Sequence, residues 1–536
     1  MNISRGEVAW AGLLAAGVVM LSTMPYLLAW WLTPPGYVFT GILANPMDAF
    51  SYLAKMREAT QGAWLLHLPY ASEPHPGALL YPQYVFLGKV VALTGFAPVF
   101  VFHGGRILAG LLLLGASYAL IVAIVSDAAA RRTAFMLLTT SGGLTWATSS
   151  FGFLAADVMI PESNTFHSLF SSVHFPLATG LLVLVALVGY RSFPAFRWSR
   201  MALAGALNAV VVLLQPFMLF SEALVGAVWA ALLLVKRKLP WEALRPAVLL
   251  AFAIPAPILV LLMQELYGDP VLAQWTAQNI TLSPLPWSYL AGYGLLAPLA
   301  LMGLVAAWRH AEAAGLTDKG ALLLVAWVVA IPPALYLPVA WQRRLSEGYH
   351  IPLSLLAAVG LHYYVLARLE GRARGYVRAL TIGFGALGSL FLAATMVYGA
   401  GVALEPQYLS HDDSAALGWL SRSATANELV LASPTIGNLV PAWSDARVYW
   451  GHPFETLDAI QKRQHVVEFY DSGTSAEARC AFLRAAGVTM VYAGPVELGL
   501  GGVSFEEHPG LEVLHRSGRV TIFKVVPCTT AQRGSS

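Results

Sequence analysis

The stretch from Val8 to Trp31, VAWAGLLAAGVVMLSTMPYLLAWW, runs through 24 positions without one charged side chain. A helix of roughly 20 apolar residues crosses the hydrocarbon core of a bilayer, so this stretch predicts a membrane span. It is too long for the apolar region of a cleaved signal peptide, and no small-residue cleavage site comes before Pro34-Pro35. It therefore reads as a retained first helix.

The rest of the chain agrees with that solvent. Of 536 residues, 57% are apolar and 11% charged, against about 25% charged in soluble domains; mean hydropathy is +0.64. Further apolar runs follow at Val99 to Val125, Thr133 to Ser150, Val173 to Tyr190, Met201 to Phe220 and Ala223 to Val235. Five more lie at Ala247 to Leu262, Trp287 to Trp308, Ala321 to Val339, Pro352 to Leu366 and Ala379 to Val402. About eleven transmembrane helices are thus expected, all upstream of Glu405. Gln215-Pro216 near the end of the fifth run makes the fifth and sixth candidates for one broken hairpin.

Short cytoplasmic loops collect Lys and Arg. With the amino terminus inside, alternate loops hold sixteen such residues, from Arg5 to Arg378, and the outside loops only Lys55, Arg57, Lys89, Arg343 and Arg344. An odd number of spans then sends everything after Val402 outside. The net charge of +3 is spread over these loops rather than gathered on one basic face, so no nucleic-acid partner is indicated. Cys480 and Cys528 both fall in the exported part, where one disulfide or two free thiols are equally compatible with their spacing.

Two regions lie outside the lipid. The loop 32–98 is long for a connection, which points to function. Within it, Asp48 to Gln61 has an amphipathic helical pattern, Phe50, Leu53, Ala54 and Leu65 being apolar and Lys55, Arg57, Glu58 and Gln61 directed to water. Tyr81 to Leu93 reads as a second helix lying in the membrane interface. The other region, 405–536, alternates helical patterns (Asp412 to Leu420, Leu457 to Phe469, Ala476 to Ala486) with β-rich runs (Leu429 to Ala432, Val488 to Tyr492, Val513 to His515, Val520 to Val525), which predicts a small α/β domain. Gly499 to Gly502 reads as a loop. The domain plan is therefore 1–404 for the membrane part, loop 32–98 included, and 405–536 for an extracytoplasmic domain. Phosphate-cradling glycine motifs and internal repeats are absent from the sequence.

Polar residues gather at the outer ends of the helices. Asp48 stands in Asn45-Pro46-Met47-Asp48-Ala49, where an Asp near a helix start is also an ordinary cap. Asp157, Glu162 and His167 follow the third helix, and His174 opens the fourth. Carboxylate and imidazole groups there are suited to act as general base or to bind a divalent metal, and solvated loop residues would look alike. Trp341-Gln342-Arg343-Arg344-Leu345-Ser346-Glu347 breaks the charge rule on the outside. An interface anchor beside Trp341 is one reading; a guanidinium clamp on phosphate is the other. Trp275, Gln278 and Asn279 suit sugar hydroxyls, although loop aromatics are common at membrane interfaces.

With these residues in this order the chain resembles the GT-C superfamily of membrane glycosyltransferases, which includes protein mannosyltransferases and aminoarabinose transferases. The resemblance covers the organisation of nearly the whole chain: first helix, long outer loop with an acidic residue and two interface helices, many-helix body and exported tail. It implies inverting sugar transfer from a polyprenyl-phosphate donor to a glycan, lipid or protein acceptor at the outer face of the cell (inner) membrane. Asp48 would be the base and Arg343 or Arg344 would stabilise the departing phosphate. The family's His-Pro element is matched loosely by His75-Pro76. Many relatives carry an acidic pair where this chain has Asp48-Ala49, so a partner has to come from elsewhere, with Glu162 the candidate. Glu347, Gln342 and His174 complete the expected substrate-binding set. Two other classes compete: a transporter or flippase of lipid-linked saccharide that uses the same arginines without chemistry, and a non-catalytic scaffold. Few charges deep in the helices, Arg106 and Glu222 apart, argue against the transporter.

Overall fold

A computed structural model describes residues 3–192, 197–402, 405–502, 504–505 and 507–528. Each of the eleven apolar runs contains helix, with breaks such as 141–144 and 335–339. Among the described residues seven helices are long and apolar enough to cross a bilayer: Arg5–Trp31, Pro98–Ile124, His174–Arg191, Met218–Val235, Ala251–Gly268, Gln342–Arg368 and Gly371–Gly401. Pro286–Tyr293 and Leu296–Arg309 form a bent pair, broken by 88°, that makes an eighth if it is one span. The remaining three runs are the shorter helices Ala128–Thr140, Trp198–Leu214 and Asp318–Ala334. The chain is thus a polytopic helical membrane protein in which seven or eight spans, against the eleven expected, pass on length. Proline explains part of the difference, because it lacks the N–H that continues a helix. Gln215-Pro216 ends one of the short helices, and Pro332-Pro333 lies in the last turn of another.

By compactness the chain divides into two units, and the cut differs from a single linear boundary near residues 403–404, which themselves lie outside the described residues. One unit comprises Met1–Pro25, His103–Leu262 and Ile280–Val397; the other comprises Tyr26–Phe102, Met263–Asn279 and Tyr398–Ser536.

The first unit is a helical body. Helices Leu296–Arg309 and His350–Gly360 approach closely because both carry glycine at the crossing: a Cβ on Gly303 would lie 1.9 Å from the Leu356 carbonyl oxygen. Small residues at such crossings let backbones meet where lipid supplies no hydrophobic drive. Arg106, 1% exposed, is hydrogen-bonded within this unit. Its guanidinium donates to Ser22 Oγ (3.1 Å), Thr23 Oγ1 (3.0 Å) and the Leu169 carbonyl, which accounts for a charge in a span without a transport pathway.

The second unit gathers the first long loop, the segment 263–279 and the C-terminal region. Strands β1 (Tyr37–Phe39) and β2 (Tyr408–Ser410) pair antiparallel and tie the loop to the tail. Strands β3 (Leu429–Leu431), β4 (Arg447–Val448), β5 (Met490–Ala493), β6 (Leu511–Ser517) and β7 (Val520–Val525) form one sheet in the order β4-β3-β5-β7-β6. Its first three strands are parallel, and β5–β7 and β7–β6 are antiparallel. Leu431, Val466, Phe469, Leu483, Val491 and Phe523 make the core between sheet and helices, the expected small α/β unit. Cys480 and Cys528 form a disulfide.

Two local expectations change. Gly499 to Gly502 belongs mostly to a short helix, Pro495–Gly501, rather than to a loop. Helix Pro46–Thr60 is amphipathic with two departures: Lys55 does not face water but is fully buried, and Leu65, expected on the apolar side, lies beyond the helix end and is 50% exposed. The helix Pro82–Thr94 packs against it, with Ala59 beneath Gly88.

Candidate active site

Helix Pro46–Thr60 starts after Asn45, which takes a left-handed conformation (φ 46°) with Pro46 as the first helical residue. Asn45, not Asp48, is therefore the cap. Asp48 lies in the first turn, where its carboxylate accepts a hydrogen bond from Asn45 Nδ2 and another at 3.0 Å from His452 Nε2. Its side chain is 37% exposed, whereas that of His452 is 2% exposed. Oδ1 is thus held by His452 and Oδ2 by Asn45, while the side chain as a whole remains part-exposed.

His452 is itself fixed on every side. Its Nδ1 accepts from the backbone N–H groups of Phe454 and Glu455, each at 3.2 Å. A nitrogen accepting two N–H donors carries no proton of its own, so the ring proton sits on Nε2 and points at Asp48. Tyr70 stacks on the imidazole with centroids 5.6 Å apart. Its hydroxyl donates to the Asn438 carbonyl at 2.9 Å. Burial, reinforced by the negative charges of Glu455 and Asp48, pushes the Tyr70 phenol well above its usual range, so it stays neutral. Gly451 is required there, since a Cβ would lie 2.4 Å from the Tyr70 ring.

Positions 48, 51 and 55 share one face of the helix. Glu455, three residues past His452, accepts from Ser51 Oγ (2.6 Å) and with both oxygens from Lys55 Nζ (2.9 and 3.0 Å). Lys55 Nζ also stands 4.6 Å over the Tyr81 ring. Gln278 Nε2 donates to the carbonyls of Phe454 (3.0 Å) and Thr456 (2.8 Å) and so clamps the same turn.

The residues expected at phosphate occupy the first unit. Arg343 Nε donates to Glu162 Oε1 at 3.2 Å; the arginine side chain is 32% exposed and that of Glu162 2%. Among the described residues the Arg343 Nη groups have no acceptor, and Glu162 Oε2 is buried without a donor. Arg344 Nε lies 3.4 Å from Thr281 Oγ1, with its guanidinium carbon 5.4 Å over the Phe217 ring. Glu347 is buried and accepts from Thr179 Oγ1 at 3.0 Å. His174 is buried with its ring 4.1 Å from that of Phe175.

Other singled-out residues serve the scaffold. His75 Nε2 accepts from Leu68 N–H and its Nδ1 meets the Glu73 carbonyl, both at 2.9 Å, so both ring nitrogens are used within the loop. Trp275 is 7% exposed within a core of Leu66, Leu68, Leu272 and Leu457. Gln342 is spent on Ser283 N–H and the Leu337 carbonyl. Asn279 caps the C-terminal end of helix Pro270–Gln278. Asp157 binds Gly143 N–H (2.8 Å) and Thr145 Oγ1, pinning its loop, and burial raises its carboxyl pKa. Burial lowers His167 to about 4, so its imidazole is neutral at pH 7. The partner sought for Asp48 is His452, and Glu162 is held by Arg343. His452 and Glu455 escaped the sequence reading; the only local signal was His-Pro with a nearby acid, in Gly451-His452-Pro453-Phe454-Glu455.

Among the described residues no group of three or more His, Cys, Asp or Glu side chains is arranged to hold a metal ion. Asp48 with His452 supplies two donors, too few for a protein-built site.

No family model and no curated protein matches the sequence. Solved structures do. The arabinofuranosyltransferase AftD from Mycobacteria aligns over 98% of this chain and 40% of its own, with 15% identity and a TM-score of 0.57. The archaeal oligosaccharyltransferase AglB from Archaeoglobus fulgidus, solved with an inhibitory peptide and a dolichol-phosphate, aligns over 92% of this chain and 70% of its own (13% identity, TM-score 0.52). ArnT from Cupriavidus metallidurans, bound to undecaprenyl phosphate, aligns over 97% and 99% (13% identity, TM-score 0.50). The likeness spans nearly the whole chain and, at 13–15% identity, is a likeness of fold with these three solved membrane transferases.

Proposed function

We propose that this protein is a membrane glycosyltransferase that moves a sugar from a polyprenyl-phosphate carrier to the hydroxyl of a glycan, lipid or protein acceptor. The observation that carries the reading is Asp48: a part-exposed carboxylate oriented by a buried imidazole N–H, in a chain of GT-C-like fold. The solved AglB and ArnT structures hold dolichol-phosphate and undecaprenyl phosphate, which supports a carrier of that class here.

In this reaction Asp48 takes the proton of the acceptor hydroxyl as its oxygen bonds to the anomeric carbon. The bond from that carbon to the phosphate oxygen breaks, and its electron pair leaves with the polyprenyl phosphate. Attack opposite the leaving group inverts the anomeric centre. Arg343 and Arg344 donate charge-assisted hydrogen bonds to the departing phosphate. Glu162 acts through Arg343, fixing Nε while the Nη groups remain for the ligand. His174 and Glu347 are assigned to substrate binding with the arginines, and His75, Trp275, Gln278, Asn279 and Gln342 hold the scaffold. Among the described residues Asp48 and His452 supply two donors, and no step is assigned to a divalent metal. The charge bias of the loops supports a cell (inner) membrane protein whose residues 405–536 form an extracytoplasmic domain beside a 1–404 membrane part.

The test is incubation of the purified protein with sugar-labelled polyprenyl phosphates and candidate acceptors. Release of free polyprenyl phosphate with label on the acceptor is expected. In vesicles, label that crosses the membrane still attached to its lipid would favour a flippase and overturn the proposal.

A further inference from the structure

Gly451-His452-Pro453-Phe454-Glu455 lies 404 residues from its partner in sequence, yet His452 Nε2 meets Asp48 Oδ1 at 3.0 Å. A buried histidine usually serves packing, and a packing role would be met by the Tyr70 stack alone. Three features go beyond it. The two backbone donors on Nδ1 select the tautomer with hydrogen on Nε2. That hydrogen is directed at the carboxylate assigned as base. Glu455, on the same turn, is locked by Ser51 and Lys55 from the same helix face that carries Asp48, so turn and base are held in one frame.

We propose that His452 is a positioning residue for Asp48, which makes the C-terminal region part of the catalytic apparatus. The inference rests on the glycosyltransferase reading and deepens it. With Nδ1 accepting from two backbone N–H groups and Nε2 donating to Asp48, neither ring nitrogen offers an acceptor to the proton on Asp48, so the ring is not assigned as a relay. Its part is to hold Oδ1 while Asn45 Nδ2 holds Oδ2, so that the part-exposed carboxylate keeps one orientation towards the acceptor hydroxyl. A carboxylate free to rotate spends much of its time misaligned, and loss of alignment costs turnover instead of binding.

Two substitutions separate the ring's functions. In His452→Asn the side-chain oxygen replaces Nδ1 as acceptor for Phe454 and Glu455, and the Nε2–H donor is lost. In His452→Gln the amide nitrogen reaches about the position of Nε2 and keeps a donor towards Asp48. For His452→Asn, kcat is expected to fall about 10- to 100-fold, the size of one charge-assisted hydrogen bond, with the acceptor KM within about twofold of the parent. His452→Gln recovers part of the loss. In an Asp48→Asn background, His452→Asn produces no further fall, because the residue acts only through Asp48. Thermal unfolding of each detergent-purified variant reports folding; if His452→Asn does not fold, the same cycle is run with His452→Gln. Parental kcat for His452→Asn, or a loss that multiplies with that of Asp48→Asn, would overturn the positioning role and leave the glycosyltransferase reading intact. Parental turnover of Asp48→Asn alone would instead remove the base on which both rest.

Discussion

Asp48 and the two arginines are where chemistry and scaffold are most easily told apart. Asn is nearly isosteric with Asp, and its side-chain oxygen accepts from His452 as the carboxylate does, but it cannot take a proton. Asp48→Asn is expected to leave folding and donor binding near normal while transfer falls by about 10²- to 10⁴-fold, the usual contribution of a general base. Initial rate at saturating donor and acceptor, measured with thermal stability, checks it. Asp48→Glu keeps some activity if the extra methylene is accommodated. For Arg343→Ala the donor KM should rise by roughly 10-fold, the low end for a charge-assisted bond, because the side chain is 32% exposed and partly screened. Arg344→Ala acts in the same direction. Lysine at 343 recovers only part, since a single ammonium cannot both pair with Glu162 and present a planar fork to phosphate. Unchanged donor KM in both alanine variants would reduce the pair to membrane-interface anchors.

At the level of the element, helix Pro46–Thr60 explains why a correct amphipathic pattern can still misassign a residue. Helical spacing separates apolar from polar faces, but a polar face is satisfied equally by water or by a buried partner. Lys55 was read towards water and instead meets Glu455, with side chains 0% and 6% exposed. Arg57, on the true outer face, is paired to Asp445 at 2.7 Å and remains part-exposed. The two pairs should therefore differ in energy. Lys55→Met leaves Glu455 as a buried uncompensated charge and is expected to cost about 3 to 5 kcal/mol, whereas Arg57→Ala costs about 1 kcal/mol or less. Removing both charges, with Lys55→Met and Glu455→Leu together, recovers much of the loss. Thermal or denaturant unfolding in detergent measures all three, and a Lys55→Met variant as stable as the parent would mean that the pair is hydrated in solution.

For the whole molecule, the proposed orientation rests on loop charge and is tested at the cysteines. Cys480 and Cys528 are joined across 48 residues, a loop whose closure is worth about 4 kcal/mol on the chain-entropy account. A thiol reagent that cannot cross the membrane should label neither in untreated intact cells and should label Cys528, the less buried of the two, after reduction. Protection in intact reduced cells, with labelling only after lysis, would reverse the assigned orientation and move Asp48 to the cytoplasmic side. Closed loops of this kind persist in oxidising compartments, so bond and orientation support each other.

The apolar runs, the long first loop, the α/β character of the tail and the candidacy of Asp48 and Arg343 all follow from sequence, because hydrophobic periodicity and loop charge act over one or two turns of chain. Helix Ala476–Ala486 and strand β7 lie at the residues read for them. Which polar groups meet was decided only by tertiary structure. His452 reaches Asp48 across 404 positions and Glu455 reaches Lys55 across 400. His75, Trp275 and Gln278, by composition fit for a sugar, are absorbed into the loop and core around them. The physical reason is that burying a polar group is costly unless it finds a partner, and the partner is supplied by whichever distant segment packs there, which no local pattern encodes.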